Sequence, residues 1–264
     1  MSLIKPYVAR LFVYPIKSLD RVECDLVTIL KSGALKGDRT WAIVDLDGNF
    51  VNGKRHQKIH ALRSQFDLAT DNLTLQVQGT NQPKTFNLIK SPSAICDWLK
   101  KYFGFPVAIV QNLDLGFPDD TVSPGATIIS TATLETVAKW YPELGTEDIR
   151  RRFRANIEIA GVPAFWEDRL FTTSDMEVKF QINNVEFRGV NPCQRCVVVT
   201  RDPKTGIRDP KFQKTFVQKR KETLPEWSER SRFNHFFRLA VNTRLSPTEA
   251  EKTIRIGDSI TLFN

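Results

Sequence analysis

Residues 191–206 read Asn-Pro-Cys-Gln-Arg-Cys-Val-Val-Val-Thr-Arg-Asp-Pro-Lys-Thr-Gly, and the interpretation of the whole chain depends on this stretch. Two of the four cysteines, Cys193 and Cys196, lie here, two residues apart. The β-branched run 197–200 predicts a strand, and the Asp-Pro and Thr-Gly steps predict a turn after it. A thiol beside a cation suits a soft metal or redox chemistry. The pair by itself does not decide between these chemistries.

Two familiar uses of a Cys-x-x-Cys pair are disfavoured by its surroundings. Structural zinc needs four ligands, but Cys24 and Cys96 are isolated and the three histidines form no second pair of the zinc-finger type. A thioredoxin-like dithiol opens a helix after a strand, whereas this pair precedes a β-branched run. The chemistry of the pair therefore has to be judged together with the rest of the chain.

Composition limits the class of protein. The chain has 264 residues, of which 41% are hydrophobic and 26% charged, so it has enough apolar side chains for a large core or two smaller ones. No segment has the ~18 apolar residues of a membrane span, and the N-terminus lacks the pattern of a signal peptide. A cytoplasmic location with reduced cysteines is the expectation. The net charge of +8 favours an anionic partner, but no nucleic-acid-binding motif occurs.

The pattern of elements predicts a β-rich α+β fold in two lobes. Short alternating segments separated by turn residues recur before residue 90, and residues 91–103 have helical spacing. Residues 112–124 are rich in Asp and Pro and lack periodicity, so they are the predicted linker, giving domains 1–118 and 119–264. In the second half, strands are predicted at 166–170 and 233–241, a helix or extended arm at 212–224, and a hairpin at 253–262.

Two neighbouring loops of the first half could hold a phosphate. Lys17-Ser18 and Gly37-Asp38-Arg39 provide a point charge, a hydroxyl and a guanidinium fork. No Walker A or dinucleotide glycine fingerprint occurs. Such short pairs are also common in solvated loops and structural ion pairs, so both interpretations remain open on the residues alone.

Several short motifs taken together resemble the MOSC-domain proteins that carry an N-terminal β-barrel domain, in particular the mitochondrial amidoxime-reducing component and its bacterial counterparts. The resemblance covers nearly the whole chain, in a fixed order of motifs: Tyr14 to Ser18, Gly37 to Asp45, the Gly48 hairpin to Arg55, Ser123-Pro124, Arg151 to Ile157, Cys193 to Cys196, Asp202 to Gly206, and Ile256 to Asp258. It implies an N-terminal β-barrel-like domain followed by a MOSC β-barrel, with molybdenum cofactor in the cleft between them.

The resemblance also implies a set of site residues. Cys196 matches the family's molybdenum ligand and is the implied catalytic residue. The implied cofactor-binding residues are Lys17, Ser18 and Arg39 for the terminal phosphate, and Ser123, Arg154, Asn156 and Arg195 for further contacts. A thiolate is a soft donor that suits a metal already held by sulfur, and Arg195 next to it favours the thiolate form. Cys193 is interpreted as a bystander that packs nearby.

The activity implied by the resemblance is reduction of N-hydroxylated or N-oxide-type small molecules, using two electrons and two protons and releasing water. The chain lacks the iron–sulfur cysteine cluster of some bacterial relatives, so electrons are expected from a separate ferredoxin or cytochrome and its reductase. The basic run 214–221 is a candidate docking rim, or simply a solvated face. The alternative is a cofactor carrier or sulfur-transfer protein without redox turnover.

Three positions depart from the family pattern. Gln194 lies where relatives often have Ser or Thr, Phe236 where they have Tyr, and Ala155 where they have Pro. These differences affect the expected substrate range and fine tuning more than cofactor binding.

Overall fold

The computed structural model describes residues 5–263, and most of its regular structure is short strands. Within that range the chain forms fifteen β-strands, four α-helices and several 3-10 turns. The strands are β1 (Tyr7–Val13), β2 (Val22–Cys24), β3 (Leu26–Thr28), β4 (Trp41–Val44), β5 (Leu62–Asp67), β6 (Asn72–Val77), β7 (Lys84–Asn87), β8 (Ala108–Gln111), β9 (Ile128–Ser130), β10 (Ile157–Ala160), β11 (Val178–Ile182), β12 (Val185–Gln194), β13 (Arg238–Arg244), β14 (Thr253–Arg255) and β15 (Ile260–Leu262). The helices are α1 (Pro92–Phe103), α2 (Thr131–Ala138), α3 (Thr146–Phe153) and α4 (Phe212–Glu222). The β-rich α+β class is confirmed.

The first lobe consists of β4–β8 and α1. Strand β4 pairs with β8, and β5, β6 and β7 form an antiparallel sheet. Helix α1 was predicted from its apolar spacing, and Ile95, Leu99 and Phe103 are indeed buried on its inner face. Gly104 ends the helix in a left-handed conformation, as is usual at a helix C-terminus.

The second lobe is built on an eight-stranded sheet in the order β15-β11-β12-β13-β9-β10-β1-β2. Its strands bury β-branched and aromatic side chains on the inner face, including Phe180, Phe187 and Ile157, each 0% exposed. Helices α2, α3 and α4 pack on a further core that contains Phe153, Phe212 and Phe216. Ser130 caps α2 by accepting a hydrogen bond from the Thr133 N–H.

The two ends of the chain meet in the second lobe. Strand β1 pairs with β10, placing Leu11 opposite Ile157, and β3 pairs with β14. Residues before about 35 therefore contribute strands and core side chains to the lobe that the C-terminal half builds. The segment between β8 and β9 lacks regular structure, as expected of the linker. The domain boundary at 118/119 stays a prediction.

Two predicted strands are 3-10 helices instead. Residues Val197–Thr200 leave the sheet after β12 because Arg152 in α3 donates to the carbonyl oxygens of Val199 and Arg201, and the Thr200 hydroxyl bonds back to the Val197 carbonyl. Residues Trp166–Leu170 follow Phe165, whose φ of 61° bends the chain out of an extended path. Local β propensity is overridden by these tertiary contacts.

The predicted C-terminal hairpin is wrong, and the strand expected at 233–241 begins only at Arg238. Strands β14 and β15 lie next to each other in sequence but pair with β3 and β11, respectively. Strand β14 forms a two-stranded sheet with β3, and β15 lies at the edge of the eight-stranded sheet, so the short loop between them is not a hairpin turn.

Helix α4 is confirmed as a helix, but its basic run is not uniformly solvated. Arg220 is fully buried and pairs with Asp168, while Lys214 and Lys221 are exposed. The exposed charge on this face is therefore smaller than the sequence suggests.

No helix within residues 5–263 is long and apolar enough to cross a membrane.

Candidate functional site

A cleft of about 1520 Å³ opens between the two lobes. Its wall is strongly basic: among the described residues, twelve Lys and Arg side chains line it against four Asp and Glu. Clefts with one sign of charge concentrate ligands of the opposite sign. The cleft therefore favours an anionic ligand.

Most of the sequence-predicted site residues meet in this cleft although they are far apart in the chain. Those that line it are Lys17, Ser18, Arg39, Ser123, Arg154, Arg195 and Cys196. They come from both lobes and from the irregular segment between them. The exception is Asn156.

Asn156 is 1% exposed and supports the cleft from behind rather than lining it. Its side-chain Nδ2 donates to the Phe12 carbonyl (3.1 Å), and its Oδ1 accepts from the Thr127 N–H (3.2 Å). These bonds join β1 to the residue that precedes β9. A direct contact of Asn156 with a ligand remains a prediction.

Two of the cationic side chains of the cleft pack against the ring of Tyr14. The Arg154 guanidinium lies 4.0 Å from the centre of the Tyr14 ring, and that of Arg39 lies 5.4 Å from it. The ring is 2% exposed, and its hydroxyl donates to the Ala155 carbonyl (3.2 Å). Burial raises the pKa of Tyr14, although the nearby arginines oppose the effect, so the ring remains a neutral cation–π platform.

The two cations on this ring differ in how they are neutralised. Arg39 pairs with Asp38, which also accepts from the Tyr14 N–H. Arg154 forms no ion pair or side-chain hydrogen bond within residues 5–263, and burial lowers its pKa. A guanidinium without a partner that faces a cleft is ready to bind an anionic group.

Lys17 lies between the cleft and the linker. Its Nζ donates to the Phe117 carbonyl (2.9 Å) and pairs with Asp119 (2.5 Å). Burial tends to raise the pKa of Asp119, but Lys17 and the nearby arginines outweigh it, so the pKa is lowered and the carboxylate stays charged. Asp119 thus balances Lys17 while its own side chain remains largely exposed.

Three lining residues have left-handed backbone conformations that are uncommon for residues other than glycine. The φ angles are 73° for Ser18, 49° for Arg39 and 51° for Arg154. Arg154 ends α3, and its N–H bonds to the Arg150 carbonyl. Such conformations cost of order 1–3 kcal/mol each and concentrate at functional sites. They direct two guanidinium groups and a hydroxyl to one region.

The cysteine pair is asymmetric in its surroundings. Strand β12 ends at Gln194, so Cys193 lies within the strand while Cys196 follows it. Both cysteines line the cleft, but Cys196 is exposed and Cys193 is half-buried. Among residues 5–263 no group of three His, Cys, Asp or Glu side chains could hold a metal ion. A metal bound at Cys196 would thus depend on ligands brought by its own cofactor.

Hydrogen bonds from Arg195 fix the segment that follows β12, which contains Cys196. Its guanidinium donates to the Leu239 carbonyl from Nε (2.9 Å) and Nη2 (2.6 Å), and from Nη1 to the Phe153 carbonyl (3.1 Å). The Arg195 N–H donates to the Phe237 carbonyl (3.0 Å). Two N–H hydrogens of the guanidinium are left for the cleft.

Sequence interpretation gave no role to two residues that organise the site. Tyr14 begins the motif that contains Lys17 and Ser18, so its place in that motif was the available signal. Asp119 lies in the segment interpreted only as a linker, where an acidic residue gives no specific signal. Its pairing with Lys17 depends on contacts about a hundred residues apart, which a single sequence does not reveal.

Comparisons with known proteins agree with this architecture. The chain matches the MOSC N-terminal beta barrel domain over residues 5–104 and the MOSC domain over residues 125–261. The mitochondrial amidoxime-reducing component 1 of Homo sapiens is 24% identical over 303 positions, covering 97% of this chain and 82% of the relative. The mitochondrial amidoxime reducing component 2 of Bos taurus is 26% identical, covering 77% of this chain and 69% of the relative.

A molybdenum cofactor sulfurase of Caenorhabditis briggsae is 26% identical over 254 residues, covering 86% of this chain. The chain spans about a third of the length of that relative and of a second sulfurase from Caenorhabditis elegans. The resemblance inferred from the short motifs is confirmed. Because the MOSC domain alone matches more than half of its residues and the N-terminal barrel domain precedes it, this chain belongs to the MOSC family.

Proposed function

We propose that this protein is a molybdenum-cofactor-dependent reductase of N-hydroxylated or N-oxide-type small molecules, supplied with electrons by a separate redox protein. The observation that carries the proposal is the shared cleft: an exposed thiol, Cys196, faces the same basic cavity as the Arg39–Tyr14–Arg154 stack and Lys17. A soft donor and an anion cradle together suit a phosphate-bearing metal cofactor.

The residues present fit such a group. Arg154 has no ion-pair or side-chain hydrogen-bond partner within residues 5–263, so an anion would satisfy it, and Ser18 and Ser123 also line the cleft. In this proposal Cys196 holds the molybdenum, while Lys17, Ser18 and Arg39 hold the terminal phosphate. Ser123, Arg154 and Arg195 make further contacts, and Asn156 fixes the loop that carries Arg154. When bound, the cofactor would supply the two-electron redox chemistry.

The chain's own part in the reaction is to bind, orient and desolvate. Reduction of an amidoxime consumes two electrons and two protons, breaks the N–O bond, and gives an amidine and water. The cleft is large enough for a cofactor and a small substrate side by side, and its wall excludes bulk water from one side of each. Electrons would come from a ferredoxin or cytochrome, and the exposed Lys214 and Lys221 on α4 are candidate docking charges.

The relatives favour a reductase over a carrier. The amidoxime-reducing component 1 corresponds to this chain over nearly its whole length, while the sulfurases correspond over about a third of theirs. The alternative remains that Cys196 carries sulfur or that the protein delivers the cofactor without turnover. The sulfurase relatives are the observation that supports this alternative.

Metal analysis tests the binding part of the proposal. Protein produced in a host that makes the cofactor should contain an equimolar amount of molybdenum. Cys196→Ala should lower this content roughly tenfold or more, because in this proposal the Cys196 thiolate is the chain's own ligand to the metal. Cys193→Ala is the matched control and should retain the metal. Equal molybdenum in both variants, or none in the unchanged protein, contradicts the assignment.

Turnover then separates the two functions. The loaded protein with a chemical reductant should convert benzamidoxime to benzamidine, and Cys196→Ala should not. A fully loaded protein that reduces no N-hydroxylated compound, but releases sulfane sulfur or cofactor to an acceptor, would establish the carrier function instead.

A further inference from the structure

A second cationic group in the cleft has no role in the proposed cofactor site. Arg232 lies in the 3-10 turn Arg230–Arg232, and Arg238 begins β13. Both line the cleft, and neither forms an ion pair within residues 5–263. They are held by elements other than those that carry Lys17, Arg39 and Arg154.

Backbone carbonyl groups fix both guanidinium groups in place. Arg232 Nη1 donates to the carbonyls of Thr172 (2.8 Å) and Thr173 (3.0 Å). Arg238 donates from Nη1 to the Pro192 carbonyl (3.0 Å) and from Nη2 to Asn234 Oδ1 (2.9 Å). Arg232 also donates from Nη2 to the Val190 carbonyl (3.2 Å). Each group still keeps at least one N–H without an acceptor within residues 5–263. The side chains are thus oriented before any ligand arrives, which reduces the entropy lost on binding.

Neither guanidinium forms an ion pair with a carboxylate within residues 5–263, although Glu229 is close enough to Arg232 to interact with its charge. Asp120 accepts the N–H groups of Val122 and Ser123 (both 3.0 Å), and Glu229 accepts the Ser231 N–H (3.0 Å). Burial lowers the pKa of Arg238, and repulsion by Arg232 lowers it further. Two like charges held close together without an ion-pair partner are stabilised by an anion between them.

The pair lies close to the proposed metal ligand. Arg238 is the cross-strand neighbour of Gln194 in the β12–β13 pair, and Gln194 precedes Cys196 by two residues. Directly opposed residues of antiparallel strands have Cα atoms about 4.5–5.5 Å apart. A ligand that reaches both Cys196 and Arg238 is therefore of small-molecule size.

We propose that Arg232 and Arg238 bind a carboxylate of the substrate, so that this protein prefers N-hydroxylated compounds bearing an acidic group. The inference rests on the proposed function, which makes Cys196 the reaction centre. Both guanidinium groups are suited to charge-assisted hydrogen bonds with carboxylate oxygens. A phosphate group has the same recognition chemistry, so phosphate-bearing and carboxylate-bearing probes are compared.

The first experiment measures binding to the purified holoprotein by calorimetry, without reductant and hence without turnover. The probes are benzamidoxime, its 3- and 4-carboxy derivatives, and phenyl phosphate. At least one carboxy isomer should bind about tenfold to hundredfold more tightly than benzamidoxime, as expected for hydrogen bonds between charged groups. Equal affinity of all benzamidoximes overturns the inference. Tighter binding of phenyl phosphate than of either carboxy isomer overturns its carboxylate assignment.

Substitutions test whether Arg238 and Arg232 are the residues responsible for the preference for a carboxylate. Arg238→Gln should remove most of the preference for the carboxylate and leave the affinity for benzamidoxime within about twofold, whereas Arg238→Lys should retain part of it. Lys54→Gln is the matched control, because it removes one exposed cation from the same cleft and should keep the preference. Arg232→Gln replaces Arg238→Gln if the latter unfolds. A preference that survives in both glutamine variants, or disappears in Lys54→Gln, overturns the assignment.

Kinetics distinguish failure of this inference from failure of the proposed function. With reductant present, Arg238→Gln should raise KM for the carboxy substrate while kcat stays nearly unchanged. Turnover of benzamidoxime without any carboxylate preference refutes the subsite alone. Arg238-dependent carboxylate binding without any turnover refutes the reductase and leaves the subsite established.

Discussion

At the scale of single residues, Glu167 is the most unusual ionisable group outside the cleft. Its side chain is 0% exposed, and Oε2 accepts from the Thr133 hydroxyl (3.0 Å), whereas Oε1 has no hydrogen-bond partner in the described part of the chain. Burial and, to a smaller extent, the charge of Asp168 raise its pKa to about 7, against hydrogen bonds that lower it. An ionised carboxylate at this position is therefore destabilising.

The pKa of Glu167 predicts how stability changes with pH. Because the folded state binds this proton more tightly than the unfolded state, its favourable contribution is complete below about pH 4.5 and is lost as the pH rises to about 7. The loss attributable to Glu167 is on the order of 3 kcal/mol. Glu167→Gln should remove this component. The free energy of unfolding of the variant, relative to that of the unchanged protein, should therefore be higher at pH 8 than at pH 5.

Denaturant unfolding at pH 5, 6, 7 and 8 measures the effect. Glu177→Gln is the control, since this carboxylate lies near the surface and pairs with Arg244. A stability difference between Glu167→Gln and the unchanged protein that does not vary with pH contradicts the prediction.

At the scale of elements, the turn Asp202–Gly206 joins the lobes. Asp202 Oδ1 accepts the N–H groups of Lys204 (2.9 Å) and Thr205 (2.8 Å), which is the local reason the turn forms. Arg63 of the first lobe donates to the Pro203 carbonyl (3.1 Å). The sequence predicted the turn, but only the tertiary structure shows that it packs on the first lobe.

The substitution Gly206→Ala tests how closely the turn packs on the first lobe. Its φ is +71°, and a Cβ there would lie 2.7 Å from Gln57 Cγ and 2.8 Å from the Gln57 carbonyl oxygen. Gly48 has a similar φ of +77° but no atom within 4 Å of such a Cβ. Both alanine variants suffer the left-handed strain, and only Gly206→Ala also meets the other lobe. Gly206→Ala should lower the free energy of unfolding by about 1–3 kcal/mol more than Gly48→Ala.

Thermal or denaturant unfolding of the two variants provides this comparison, since the backbone strain cancels between them. Equal losses would show that the turn does not press on the first lobe.

At the scale of the whole molecule, the second lobe depends on the N-terminus. Strand β1 lies between β10 and β2 in the eight-stranded sheet, and β3 pairs with β14. Val8, Leu11 and Val13 are 0% exposed in the core that these strands share with the C-terminal half. Removing strands β1 to β3 would leave β10 without its neighbour and expose the core to solvent.

A fragment of residues 119–264 should therefore not fold cooperatively alone, even though it contains the matched MOSC segment. We expect loss of near-ultraviolet dichroism, binding of a hydrophobic dye, and a broad thermal transition. Adding a separate chain of residues 1–40 should restore part of the cooperative transition. Cooperative unfolding of the fragment alone, within a few degrees of the full chain, would contradict this prediction.

The sequence by itself determined the features that depend on local order. The spacing of Ile95, Leu99 and Phe103 was enough to predict α1. The short motifs around Lys17, Arg39, Arg154 and Cys196 gave the family, because their order along the chain is a linear property. All four line one cleft in the structure.

Only the tertiary structure decided the features that depend on contacts between distant segments. The run Val197–Thr200 has high β propensity, but contacts from α3 make it a 3-10 helix. Strands β14 and β15 pair with partners far away in sequence rather than with each other. Arg238 gave no signal in the sequence, since an arginine at a strand start is ordinary, and its place beside Arg232 in the cleft follows from the β12–β13 register. Side-chain burial and non-local pairing select among conformations whose local energies differ little, which is why the linear pattern could not settle them.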